Sequence, residues 1–235
     1  MKAFSPVFSR ELAGFARSPL SYLITALLAL VCGMLAFPPG GGGVLQDGAG
    51  YLRAWPWLLA GLGTAFGARV WARELRAGSL LRVLSEPTPL WHLACAKIMA
   101  AWALALCAAL VVFAPAVSAA WLGRVDGGGL IAAILSAALL LGAFVALGAA
   151  ASATAHDEAF AFALAFAVAI CLVVVTDPPA GAPLWLEELA QFSPVIGFGA
   201  ARQGVLELGG LFQSLAAMVT GGLLSIIALE ARRAG

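Results

Sequence analysis

Arg73-Glu74-Leu75-Arg76-Ala77-Gly78-Ser79-Leu80-Leu81-Arg82, followed by Glu86-Pro87-Thr88-Pro89-Leu90-Trp91-His92 and then Lys97, is the one long polar interruption in an otherwise apolar chain. Four of the 13 lysines and arginines lie in this stretch. So charged a segment does not insert into hydrocarbon, where each ionised side chain is costly. Basic residues between two spans are retained on the cytoplasmic face. Composition alone fits either a stop-transfer loop that only sets topology or a segment with work to do there.

Apolar residues make up 63% of the 235 and charged residues 11%, against about 25% charged in soluble domains. This predicts an integral membrane protein forming a single transmembrane domain over 1–235, with no room for a soluble catalytic domain around the spans. A net charge of +1 gives no reason to expect nucleic acid. Cys32, Cys95, Cys107 and Cys171 sit in or beside apolar runs without a CxxC pair. They are expected to pack as small apolar residues and not to form disulfides. His92 and His156 lack a second ligand at metal spacing, so no metal is expected.

The pattern predicts an all-α fold of six spans. Phe4, Phe8, Leu12 and Phe15 recur about one turn apart, which suits a short helix lying in the interface. Ser18-Pro19 supplies an N-cap and a first-turn proline for span one at 19–37, free of charge and too long for a cleaved signal. Span two, 54–72, has only Ala54–Ala68 uncharged, about 22 Å of helix, so Arg53 and Arg69 are expected to snorkel to opposite surfaces. Trp55, Trp57 and Trp71 mark its ends as an aromatic belt, and Gly63 and Gly67 form a GxxxG that permits close helix approach. Spans three to six are 98–121, with a kink at Pro115, then 130–153, 159–176 and 211–229.

Residues 184–208 break the rhythm. Two helical pieces, each too short to cross, surround Ser193-Pro194. An ordinary external loop fits this stretch. Sparse charge with Trp185, Leu186, Phe192, Ile196 and Phe198 also suits a hairpin dipping into the outer leaflet. With both termini inside, ten basic residues are cytoplasmic and three (Arg53, Arg124 and Arg202) are external, which agrees with positive-inside orientation.

The spacing of Glu74, Gly78-Ser79, Pro87 and Lys97, with Trp91 where an aromatic is common, resembles the intracellular loop of type-2 ABC transporter permeases, whose pattern runs E-x-x-x-G-[ST]…P…K. The chain departs from it at Leu81, where the family usually carries Glu. Ser18-Pro19-Leu20-Ser21-Tyr22, Phe192-Ser193-Pro194, Arg202-Gln203-Gly204 and the terminal Leu229-Glu230-Ala231-Arg232-Arg233 are similar to gliding-motility-type ABC permeases. A shorter likeness, through Gly78-Ser79-Leu80, Pro87-Thr88-Pro89-Leu90 and Ala96-Lys97-Ile98-Met99-Ala100, is to the haem-exporter permease of cytochrome c maturation.

The resemblance implies a multi-pass inner-membrane permease subunit of an ABC exporter. It implies a coupling helix in 73–97 that docks on separate ABC ATPase subunits, a second permease subunit in a homo- or heterodimer, and re-entrant helices before the last span. Arg73, Glu74, Arg76, Gly78, Ser79, Arg82, Pro87 and Lys97 are then the ATPase-coupling residues. Trp185, Phe192, Ser193, Pro194, Arg202 and Gly204 belong to the external hairpin. No G-x-x-x-x-G-K-[ST] occurs, so ATP and Mg are expected on the partner and none on this chain, which is not itself an enzyme. A secondary transporter or channel without an ATPase is the rival class. The near absence of charge inside the spans speaks against ion coupling. The apolar path leans towards a lipidic or amphipathic cargo.

Overall fold

Alanine, glycine and leucine dominate Gly127–Thr154, and that composition sets the architecture, because small side chains let helix axes approach closely. The computed structural model describes residues 4–38, 43–45, 48–78, 90–123, 125–155, 157–176, 188 and 190–234. These form α1 (Phe4–Ala16), α2 (Pro19–Ala36), a 3-10 turn (Gly43–Leu45), α3 (Gly48–Gly67), α4 (Arg69–Ala77), α5 (Leu90–Trp121), α6 (Gly127–Thr154), α7 (Glu158–Thr176), α8 (Ile196–Ala201) and α9 (Leu208–Ala234). No strand occurs among the described residues.

Helix α6 is the axis of the bundle and packs against α3, α5, α7 and α9. Its contact with α3 runs through glycines. A Cβ on Gly67 would lie 2.2 Å from the Val145 carbonyl oxygen and 2.8 Å from Gly148 Cα, and one on Gly63 would lie 2.6 Å from Phe144 Cβ. The GxxxG of the sequence is therefore used, and Gly148 answers it from α6. On the other side, a Cβ on Gly221 of α9 would meet the Ala146 backbone at 2.7 Å. The outer faces carry the apolar surface: Leu23, Leu27, Leu30 and Met34 of α2, and Phe212, Val219 and Leu223 of α9, are exposed. Apolar patches of this size belong in lipid.

Five helices (α2, α5, α6, α7 and α9) are long and apolar enough to cross a membrane. The chain is thus a multi-pass membrane protein. The expected second span, 54–72, is drawn differently: α3 starts at Gly48, six residues earlier, and Ala68 separates it from α4. Its sequence is less apolar because neighbours cover it. Trp55 is fully buried, with its ring 4.9 Å from Phe113 of α5, 6.0 Å from Phe198 of α8 and 6.5 Å from Tyr51. The Tyr51 hydroxyl donates to the Val112 carbonyl at 2.9 Å, close to Pro115 inside α5.

Three expectations are corrected. Arg69 is 3% exposed and does not snorkel, for it finds partners inside. Trp55 and Trp71 are buried, so of the three belt tryptophans only Trp57 faces outward. Of the four cysteines only Cys32 packs inside; Cys95, Cys107 and Cys171 are exposed free thiols.

The glycine seam gives a stability test. Gly67→Ala forces a Cβ against rigid α6 backbone and should cost about 1–3 kcal/mol, read as a lowered thermal midpoint in detergent. Gly61→Ala meets only the Phe166 ring at 3.7 Å and should leave the midpoint unchanged. Equal effects at the two positions would contradict the close α3–α6 approach.

Candidate functional site

Short helix α4 carries one apolar and one charged side, and its root lies among three buried or half-buried ion pairs. Lys97, near the start of α5, is 1% exposed. Its Nζ lies 2.7 Å from Glu74 Oε1 of α4 and 3.2 Å from Glu11 Oε1 of α1, and 5.2 Å from the centre of the buried Trp71 ring. A lysine can be held so deep only with opposite charge in contact. One ammonium thus ties together α1, α4 and α5.

Arg69 makes the second junction, at the α3–α4 boundary. It donates from Nη1 to Ser21 Oγ at 2.8 Å and from Nη2 to Ser18 Oγ at 2.5 Å. Its Nε lies 2.9 Å from Glu158 Oε1, an ion pair whose N–H direction misses a hydrogen bond. Ser18 stands at the N-cap of α2, yet its side chain makes no capping bond; the hydroxyl serves Arg69 instead. Ser21 donates in turn to the Phe15 carbonyl at 2.9 Å. The Phe15 ring, 3% exposed, lies beneath two guanidinium groups, Arg69 at 5.5 Å and Arg73 at 5.4 Å. Such stacking adds attraction on a desolvated ring.

Opposite charges face one another across the cluster. Arg69, Arg73 and Lys97 supply three cations and Glu11, Glu74 and Glu158 three carboxylates, and Glu11 also meets the exposed Arg10 at 3.4 Å. Glu158 occupies the first turn of α7, where the helix dipole also favours an anion. At the rim, Arg76 Nη2 meets Asp157 Oδ1 at 2.7 Å, but both side chains are more than half exposed, so that pair contributes little. The Trp71 amide donates to Ser152 Oγ at 3.3 Å, fastening α4 to the end of α6. Arg232 of α9 caps the same end by donating to the Thr154 carbonyl at 2.5 Å.

The sequence-predicted residues divide as follows. Glu74 and Lys97 meet directly, Arg73 joins through Phe15, and Arg76 stands at the rim. Lys97 is therefore an internal residue and is not available to a partner. Gly78 ends α4 at φ +66° with nothing within 4 Å of a Cβ placed on it, so its backbone, and not its surroundings, asks for glycine. Ser79, Arg82 and Pro87 lie outside the described residues.

At the opposite end, Trp185 also lies outside them. Phe192 is 82% exposed, while Ser193 is buried and joins Thr176 Oγ1 at 2.9 Å and the Leu172 carbonyl at 3.1 Å. Pro194 is buried, and its carbonyl accepts from Ser214 at 3.2 Å. Arg202 and Gly204 (φ +85°) close α8. Of the second helical piece expected within 184–208, Ile196–Ala201 is helical and ends well before α9 begins at Leu208, because Gly204 takes a left-handed turn there and Val205 N returns to the Ala200 carbonyl at 3.1 Å. The two groups of predicted residues occupy different ends of the bundle.

A family model described as "ABC-2 family transporter protein" matches residues 54–229. The chain belongs to that family. A comparison with curated proteins returned no match. Within this ABC-2 transporter, Arg69, Glu74, Lys97 and Glu158 fall inside the matched region, and Glu11, Phe15, Ser18 and Ser21 precede it. Sequence reading missed Glu11, Arg69 and Glu158 as partners. The available signal was scarcity: with 12 acidic residues in the whole chain, the carboxylates near 11 and 158 were the ones within reach of buried cations.

Removal of the central cation has a stated cost. Lys97→Met leaves the Glu11 and Glu74 carboxylates facing each other and should destabilise by about 3–5 kcal/mol. Glu11→Gln leaves Lys97 paired with Glu74 and should cost less, about 1–2 kcal/mol. Thermal midpoints in detergent decide it: a Lys97→Met midpoint no lower than that of Glu11→Gln would deny the cluster its structural role.

Proposed function

We propose that this chain is the permease subunit of an ABC exporter, driven by ATP and Mg on a separate ATPase subunit and paired with a second permease subunit around the translocation path. The chain is then not itself an ATPase. In this reading α3 is the sixth crossing helix, its 20 residues reaching about 30 Å, within the thickness of the hydrocarbon core. Both termini are cytoplasmic and the membrane is the inner one. The distribution of basic residues supports this orientation: Arg10, Arg69, Arg73, Arg76, Lys97 and Arg232 gather at one end through the contacts above, and Arg53 lies towards the other end of α3.

The observation that carries the proposal is the Glu74–Lys97 ion pair at 2.7 Å within a chain of the ABC-2 family. It gives α4 a stiff connection to a helix of 32 residues. The stretch 73–97 would dock on the ATPase with Arg73 and Arg76 at the contact. Closure of the ATPase would press on α4, and Lys97 and Arg69 would pass the displacement to α5, α3 and the joint between α1 and α2. The external hairpin, 184–208, would dip into the outer leaflet, with exposed Phe192 in lipid.

Two substitutions test the docking. Gly78→Val places a β-branched residue at φ +66°, a conformation costing about 1–2 kcal/mol, and should disturb the exit from α4. Arg76→Glu should weaken the contact by about 2–5 kcal/mol if the guanidinium is buried against the partner, and by far less at a rim. Both variants should insert normally. Co-purification of an ATPase from native-level expression is the measurement. If no ATPase accompanies the intact chain, or if neither substitution reduces its recovery, the coupling role is wrong and an ATPase-independent carrier or channel takes its place.

A further inference from the structure

At the end bearing the Lys97 cluster, Arg69 and Arg76 meet carboxylates of this chain; two further arginines stand at the opposite end. Arg53 on α3 and Arg202 at the close of α8 line one cavity of about 320 Å³ together with Pro56, Trp57, Val174 and Thr176. Neither arginine has a carboxylate within ion-pair distance among the described residues. Two guanidinium groups sharing a cavity raise its potential and favour an anion between them.

The frame around them is built. Arg202 N donates to the Phe198 carbonyl at 3.0 Å, Gln203 N to Ala200 at 2.9 Å and Gly204 N to Ala201 at 3.0 Å. Helix α8 is fixed in turn by the Gly197–Gly210 approach, where an added Cβ would come within 2.4 Å of backbone, and by Phe198 against Trp55. Trp57 is one turn beyond Arg53 on the same helix and shares its side. Trp57 and Val174 are 47% and 42% exposed, so the cavity opens on the apolar flank of the bundle and not only at its tip. Charge at the mouth with an apolar wall leading away suits an amphiphile with an anionic head. Paired arginines match phosphate best, through several charge-assisted hydrogen bonds to one group.

We propose that this cavity binds the phosphate headgroup of an anionic membrane lipid between Arg53 and Arg202, with its chains lying along Trp57 and Val174. The inference rests on the membrane-spanning part of the reading above and is independent of any ATPase.

The test uses the full chain purified in mild detergent and offered equal amounts of phosphatidylglycerol and phosphatidylcholine of the same chain length, with retention read by native mass spectrometry. Phosphatidylglycerol should be retained about tenfold over phosphatidylcholine. The double variant Arg53→Gln/Arg202→Gln should bring the ratio close to one, and Arg10→Gln, at the other end, should leave it unchanged. Excess glycerol phosphate, which has the head but no chains, should not displace the lipid. Equal retention of the two lipids by the intact protein overturns the proposal without relying on any variant. So does a preference that survives the double substitution, and displacement by glycerol phosphate would assign the cavity to a free phosphate compound instead. Failure to recover an ATPase with the chain would leave each of these outcomes unaffected, so the two readings fail separately.

Discussion

A lysine with almost no access to water has to be neutralised where it stands, and in this protein that requirement fixes the relation of three segments. Lys97 can be buried because Glu74 and Glu11 are brought to it. Bringing them there places α4 against α5 and lays α1 along the same surface. Breaking such a pair costs more than making it gains, since the remaining charge has no solvent to return to. The cluster is therefore a latch on geometry more than a reserve of stability. Arg69 repeats the arrangement one step away, satisfied by two serines and Glu158.

The glycine seam gives the latch its mechanical meaning. Where α3 and α6 touch through Gly63, Gly67 and Gly148, backbone meets backbone and there are no long side chains to absorb a displacement. Packed interfaces of this kind shift as bodies and do not deform smoothly. A push on α4 would then reach the bundle through Lys97 on α5, through Arg69 at the foot of α3, and through Ser152 on α6. In the proposed exporter, these three routes are how movement outside the bilayer would become a change in helix arrangement within it.

Much of the fold was legible from hydropathy alone. Spans one, three, four, five and six announce themselves because their outer faces must satisfy lipid, and the helices found agree with them to within a few residues, except that α5 begins eight residues earlier, at Leu90. Span two was harder for a physical reason: a helix covered by its neighbours need not be uniformly apolar, and α3 carries Arg53, Tyr51 and buried Trp55. The cluster was half legible. The Glu74 and Lys97 positions stood out through a family pattern, but a pattern says nothing about which residue faces inward. Arg69 beside a short apolar run looked like a snorkelling arginine, because its serine partners are 48 and 51 residues away. Local sequence cannot carry contacts closed by the tertiary fold.

The central claim is that α4 and α5 act on each other through the Glu74–Lys97 pair, and a double-mutant cycle on ATPase stimulation addresses it most directly. Glu74→Gln, Lys97→Gln and the double variant would be reconstituted in nanodiscs with the cognate ATPase, and turnover compared with that of the intact pair. If the pair transmits movement, the two single substitutions should each impair stimulation and the double should be no worse than the poorer single. That departure from additivity corresponds to about 1–3 kcal/mol. Strictly additive losses would mean that the two residues act independently of each other, and stimulation untouched by either substitution would mean that the ion pair carries no signal.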